Sequence, residues 1–472
     1  MKRKVLTSML AAILIFSLAL AGCSSDNGST IADPSEKATP SESPSEEGAE
    51  LTLWTWKVAM TAGFEDAARS FQEKTGHTVI VEAFTPDDTY RQKVIAAANS
   101  GDLPDLIHWW ATRGVGFENV LVNMTDKVTE KYKEQFGVTA FNSSVVRAID
   151  VKNWAEDSQQ SDVVKSLKEG DYYQIPIDVG GFFTIYTNNE ILAEVGLENK
   201  VPANYEEFIE YSTKVSEDTD YAGFVFSGGL PDVYYNWMGR AVEASFLGVD
   251  KSVGLINRTE KMSDPENIKP LKVFETLANS GSILDGSIAL DIDGADLAFV
   301  SGDAAYLLGG TFTYGQMDAM GMDISNVSSF VVPMMKDSKV ADPFEINSFT
   351  LTAMAISKNS SNQEAAWDYI QHITLDPEGA TDFANGAYII PAGKLGDALS
   401  KLSSALQDMY NSFSDKESVV TTVDNWPDSI GRKEEWKQLY NDMQKIMTGE
   451  LTAEQVAANF DKNAEAEQAA GN

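Results

Sequence analysis

From Leu51 the chain alternates Leu, Thr, Leu, Trp, Thr and Trp through Trp56, the period-2 pattern of a β-strand. Phe64, Ala67, Ala68 and Phe71 then recur at i, i+3, i+4 and i+7, which predicts one apolar helix face closed by Gly76. Thr78–Phe84, rich in Val and Ile, predicts a second strand. A helical pattern through Tyr90, Val94 and Ile95 ends near Gly101, and Leu106–Trp110 predicts a third strand. The order β-α-β-α-β predicts a parallel sheet with right-handed crossovers. Ligands of such sheets bind beyond the carboxyl ends of the strands.

The same patterning continues. Gln174–Ile177 and Thr184–Thr187 are strand-like and flank Asp178-Val179-Gly180-Gly181. Asn204 with Glu207 predicts a capping box opening a helix through Val215. Phe224–Phe226, Ala304–Leu308, Ser329–Val332 and Phe349–Ile356 are apolar strand candidates. A helix is expected from about Asn362 to Ile373, and Asp376-Pro377 starts another that Gly386 closes. Beyond Lys394 the pattern is almost wholly helical, and no internal repeat is present.

Ahead of this body, Lys2-Arg3-Lys4 precedes an apolar run from Val5 to Leu20, too short for a membrane span. The arrangement predicts a signal peptide over residues 1–22. Its end, Leu20-Ala21-Gly22-Cys23, resembles a bacterial lipobox. That resemblance implies that Cys23 carries the lipid anchor, palmitate-type acyl chains included, and becomes the mature N-terminus. Residues 23–50 are rich in Ser, Pro and Glu and hold one large apolar side chain, Ile31, which predicts a disordered tether.

Composition narrows the function classes. The formal net charge is −35, from 36 basic and 71 acidic side chains, which argues against nucleic acid or anionic lipid held on a basic face. Cys23 is the only cysteine, so no intrachain disulfide can form. His77, His108 and His372 lack metal-ligand spacing, and no cofactor is expected. Asp291-Ile292-Asp293-Gly294-Ala295-Asp296 has its glycine at the fourth position, not the sixth of an EF-hand loop, and reads as a polar turn. No G-x-S-x-G, P-loop or clustered His/Cys pattern points to an enzyme.

A set of short motifs occurs in a fixed order. It runs Leu51–Trp56, Gly101-Asp102-Leu103-Pro104-Asp105, Tyr173-Gln174-Ile175-Pro176, and Ile185-Tyr186-Thr187-Asn188. It continues with Ala298-Phe299-Val300-Ser301-Gly302-Asp303-Ala304-Ala305-Tyr306, Ile356-Ser357-Lys358-Asn359-Ser360, and Ala387-Tyr388-Ile389-Ile390-Pro391. Together they resemble extracellular solute-binding protein family 1, which includes maltose- and oligosaccharide-binding receptors. The resemblance implies an α/β, two-lobed periplasmic-binding-protein-like fold of type II. Each lobe would be a mainly parallel sheet flanked by helices, joined to the other by hinge strands. Lobe 1 would span 51–180 plus 350–395, and lobe 2 would span 181–349 plus 396–472. Asp178–Gly181 and Asn347–Ala353 would be the two crossings.

The implied function is capture of a sugar, an oligosaccharide above all, for the membrane permease of an ABC importer. The protein would be a lipid-anchored, outward-facing monomer that performs no chemistry. The alternatives are the same fold binding another solute, or a glycoside-processing enzyme. A sugar presents C–H faces to aromatic rings and a hydroxyl rim to charged or amide groups. Carried onto this sequence, the resemblance and the strand ends select Trp56, Trp109, Trp110, Arg113, Asp178, Tyr234, Trp237, Phe312, Glu345 and Tyr388 as ligand-binding candidates. Adjacent strand residues face opposite ways, so one of Trp109 and Trp110 is expected to meet ligand, and the resemblance to the maltose-receptor pattern over Pro104–Trp109 favours Trp109. Thr112 stands where maltose receptors have an acid, and Trp426-Pro427 is a further candidate. Tyr234 and Trp237, three residues apart, would share one helix face.

Overall fold

The computed structural model describes residues 48–137, 140–141, 143–180, 184–340, 349–413 and 434–470. In chain order its strands are β1 (Glu50–Thr55), β2 (Thr78–Ala83), β3 (Leu106–Trp110), β4 (Ile175–Pro176), β5 (Asp178–Gly180) and β6 (Thr184–Asn188). They continue as β7 (Ala222–Val225), β8 (Ala304–Gly309), β9 (Val327–Val331), β10 (Phe349–Thr350), β11 (Thr352–Ile356) and β12 (Ile390–Pro391). The signal peptide, Cys23 and the tether to residue 47 lie outside the described residues, as do Gly181, Glu345, Asn347 and Trp426.

Three sheets result, in the orders β2-β1-β3-β11-β4, β10-β5-β12 and β7-β8-β6-β9. The first begins as the expected parallel unit, with Leu51 opposite Val79 and Leu53 opposite Leu106. Between β1 and β2 runs helix α1 (Thr61–Thr75), which buries Phe64, Ala67, Ala68 and Phe71 and ends on left-handed Gly76. Between β2 and β3 runs α2 (Asp87–Ser100), which ends on left-handed Gly101. It buries Tyr90 and Val94, whereas Ile95 is exposed.

The expectation of mainly parallel sheets needs correction. β11 runs antiparallel to both β3 and β4, and in the third sheet β6 is antiparallel to β8 and β9, with only β7 parallel to β8. The cause is the connectivity. The chain leaves the first sheet through β4 and β5 and re-enters it through β10 and β11, so the returning strand runs opposite to those that precede it.

The middle sheet holds strands from both segments expected as crossings, β5 and β10. β5 and β10 lie side by side, with Gly180 opposite Phe349 and Val179 opposite Thr350, and β12 covers the other edge of β5. Gly180 is required there by space, since a Cβ on it would fall 2.0 Å from Thr311 Oγ1.

Helix Pro377–Ala387 is capped as expected, Asp376 accepting the N–H groups of Glu378 and Gly379. It does not stop at Gly386. It runs on to Ala387, and Tyr388 takes the left-handed position at φ 49°. Gly386 instead allows close helix packing, because a Cβ there would meet Gly63 Cα on α1 at 2.7 Å. The capping box at Asn204 is half realised. Asn204 accepts the Glu207 N–H, while the Glu207 carboxylate takes the N–H of Ala203 instead of the cap residue.

The last described helices, Glu434–Met447 and Ala453–Ala470, pack on Lys269–Ala278, beside the third sheet. Arg258 ties them there through a two-pronged ion pair to the buried Glu435 carboxylate, at 2.6 and 2.9 Å.

Candidate ligand-binding site

The carboxyl ends of β1 and β3 carry an aromatic block. Trp56 stacks on Trp110 with centroids 4.0 Å apart and on His108 at 4.3 Å. The Arg91 guanidinium lies 3.7 Å from the Trp110 ring centroid. Trp109 is edge-on to Trp110 at 5.0 Å and to Phe117 at 5.3 Å. The Tyr90 hydroxyl faces the carbonyls of Trp54 and His108 at 3.0 and 2.5 Å, which fixes the two strand ends together. Trp56 is 1% exposed and Trp109 5%, while Trp110 is partly exposed. Trp110, not Trp109, is therefore the ring that keeps access to solvent.

Behind this block His108 is fully buried, with Nδ1 2.8 Å from Thr55 Oγ1. Burial, with Lys57 nearby, pushes its imidazole well below the usual range, so it is neutral. Arg113 lines a separate cavity with Thr112, Glu118, Tyr173 and Gln174. Its Nε donates to the Val145 carbonyl at 2.9 Å and lies 3.5 Å from Asp150 Oδ2, which holds it inside the first lobe.

The opposing wall comes from the segments after β8 and around Trp237. Phe312 folds back over Gly310, where a Cβ would meet its ring at 2.3 Å. Trp237 meets Phe312 edge-on at 6.0 Å. Tyr234 is not beside them. Its ring packs at 4.4 Å on Phe226 and 5.5 Å on Phe274, in the core of the second lobe. The shared face expected for Tyr234 and Trp237 fails because Tyr235–Gly239 is a π-helical turn. More residues fit into such a turn than into an α turn, so positions three apart no longer align.

Lys57, the residue after Trp56, joins the two walls. Its ammonium lies 5.8 Å from the Trp56 centroid and 5.2 Å from that of Phe312, within the range of cation–π attraction. It has no ion-pair partner among the described residues. Its positive charge nonetheless favours the ionised forms of Asp178, Asp293 and Asp296. Asp178 is buried in the hinge and accepts both the N–H and the hydroxyl of Thr352. Burial outweighs these bonds and raises its carboxyl to about 7. Asp296, on helix Ile292–Val300, is raised to about 8 by burial and by neighbouring Asp293.

Tyr388 lies at a second point of approach between the lobes. A Cβ on Gly315, in helix Thr313–Ala319, would meet the Ala387 carbonyl at 2.7 Å. Burial, with Asp318 nearby, raises the half-buried Tyr388 phenol. Of the sequence candidates, then, Trp56, Trp110, Trp237, Phe312 and Asp178 gather around Lys57. Trp109 backs the block, and Arg113 and Tyr234 belong to the lobe interiors.

Lys57 and Asp296 lie beside these candidates and were not among them. Lys57 had a signal, a cation directly after a strand-end Trp. Asp296 was read as part of a polar turn. Asp291 does cap a helix there, accepting the Gly294 N–H at 2.8 Å, and no metal-binding group of acids occurs among the described residues.

Solved structures share this fold. A chain from work on xylan utilization by the thermophilic bacterium Caldanaerobius polysaccharolyticus superposes with TM-score 0.65 at 18% identity, covering 88% of this chain and 99% of that one. The GacH receptor of Streptomyces glaucescens, known unliganded and with acarbose, gives 0.61 at 16% identity, covering 89% and 98%. The maltodextrin-binding domain MalE of Bdellovibrio bacteriovorus, bound to maltotriose, gives 0.57 at 17% identity, covering 89% and 99%. Among curated proteins none matches in sequence. The family model of the bacterial extracellular solute-binding proteins matches residues 54–380, and this chain belongs to that family.

Proposed function

We propose that this protein captures a saccharide between its lobes and delivers it to the membrane permease of an ABC importer. The observation that carries this reading is the ammonium of Lys57 set between the rings of Trp56 and Phe312, with the partly exposed Trp110 stacked on Trp56 and Trp237 edge-on to Phe312. Rings on both walls suit the two C–H faces of a sugar, and Lys57 and the nearby carboxyls suit its hydroxyls. Three structural relatives are described with acarbose, raffinose and maltotriose.

In this reading the protein works as a monomer without catalysis, held at the outer face of the cell membrane by lipid on Cys23. Lobe 1 comprises 51–180 and 350–395 and lobe 2 comprises 181–349 and the C-terminal helices. Residues 396–413 pack on β12 and on helix Pro377–Ala387, which favours assigning them to lobe 1. A ligand that contacts both lobes binds the closed form better and so drives closure.

A thermal-shift screen against mono- and oligosaccharides tests the proposal. A sugar that binds only the folded state raises the melting temperature in a concentration-dependent way. A protein that responds to no saccharide, but to a peptide or polyamine, would overturn it.

A further inference from the structure

Among the described residues near Lys57, the carboxyl of Asp296 is one of the buried polar groups left without a partner, as are the Trp56 and His108 ring nitrogens Nε1 and Nε2. Asp296 is 2% exposed, and its Oδ2 has no hydrogen-bond partner among the described residues. Buried acceptors are nearly always bonded, and an unmet one signals a missing partner. Asp293 and Asp291 face it from its own helix. Lys57 faces it from the end of β1. Tyr186 lies near it on β6, with its hydroxyl donating to the Gly310 carbonyl at 2.6 Å. Gly310 precedes Thr311, which abuts Gly180 in the hinge, so Asp296 stands at the hinge end of the site.

We propose that Asp296 is a ligand-binding carboxyl that accepts a hydroxyl of an uncharged sugar, and that the Asp291–Asp293–Asp296 wall rejects sugars bearing a carboxylate. This rests on the saccharide reading above. A sugar hydroxyl both donates and accepts, so it can meet the Asp296 carboxyl in either protonation state. A metal ion is a poorer occupant, since no three-ligand group exists among the described residues. A uronate would enter beside Asp291 and Asp293, and beside Asp296 once that carboxyl ionises, with Lys57 the opposing charge among the described residues, and like charges brought together repel. Asp293 adds to that wall from an exposed position, where its one side-chain contact is a long approach of 3.5 Å from Gln316 Nε2.

Isothermal titration of the full chain with maltotriose, raffinose, xylotriose and chitotriose, and with trigalacturonate, tests this. Wild type should bind at least one neutral sugar and not trigalacturonate. Asp296→Asn should weaken the neutral sugar at least tenfold while melting as wild type does without sugar. Affinity in wild type should rise from pH 6 to pH 9, because a carboxylate is a stronger acceptor than a carboxylic acid. That rise should vanish in Asp296→Asn. Equal affinity of wild type and Asp296→Asn for a neutral sugar would overturn the role of Asp296 and leave the saccharide reading intact. Tight binding of trigalacturonate to wild type would overturn the charge wall. Failure of every neutral sugar would overturn the saccharide reading and this inference with it.

Discussion

Thr352 donates its backbone N–H and its hydroxyl to the same oxygen of Asp178, each over 2.7 Å. The bond pair ties the outgoing chain at β5 to the returning chain at β11. Asp178→Ala leaves two buried donors unmet, at about 1–3 kcal/mol each. Asp178→Asn keeps an acceptor oxygen. Denaturant melts should show the alanine variant clearly less stable than the asparagine one.

Asp178 and Asp296 have carboxyls raised in the folded state to about 7 and about 8, above the ordinary 3.8. The folded protein therefore holds more protons than the unfolded chain between those values. The stability these groups contribute is full below about pH 4 and is lost as pH rises through 7 to 8. Asp296→Asn has no such loss. Its stability relative to wild type should increase from pH 5 to pH 8, by on the order of 1–3 kcal/mol. A flat difference across that range would reject the assignment.

Phe312 and Trp109 should separate binding from stability. Phe312 is partly exposed at the interlobe site, so Phe312→Ala should weaken sugar binding about 2- to 10-fold, the worth of one stacking contact. Trp109 is enclosed by Tyr90, Trp110 and Phe117, so Trp109→Ala should cost about 3–5 kcal/mol of stability. Calorimetric titration and chemical denaturation of both variants distinguish the two roles.

Gly180 abuts Thr311 so closely that an alanine there collides with the threonine hydroxyl. Gly180→Ala should destabilise by about 1–3 kcal/mol. Adding Thr311→Ala removes the colliding atoms and should recover most of that loss. A double variant no more stable than the single one would show that backbone freedom, not space, is what the position needs.

The fold was legible wherever a local pattern set the structure. β3 spans Leu106–Trp110 as expected, α1 buries its four predicted residues, and Asp376 caps its helix. Tertiary demands were not legible. Gly386 looked like a helix stop, yet its task is to let a neighbouring helix approach Gly63, more than 300 residues away in sequence. The antiparallel insertion of β11 follows from a return crossing that no local pattern records.

The site was legible in its residue types and not in its geometry. Trp56 and Phe312 were selected from strand ends and motif position, and in the structure both rings lie against Lys57. Tyr234 was misplaced because a π turn cannot be seen in spacing alone. Asp296 escaped notice because its interest lies in a bond it does not make, which only a packed structure reveals.

The place of β11 between β3 and β4 also bears on how the protein is made. The strand that completes the first sheet leaves the ribosome well over a hundred residues after its neighbours, and the helices that close the second lobe come last of all. Neither core can seal until nearly the whole chain has emerged. Such long-range pairing is slow. That delay keeps the chain extended and unsealed through most of its synthesis.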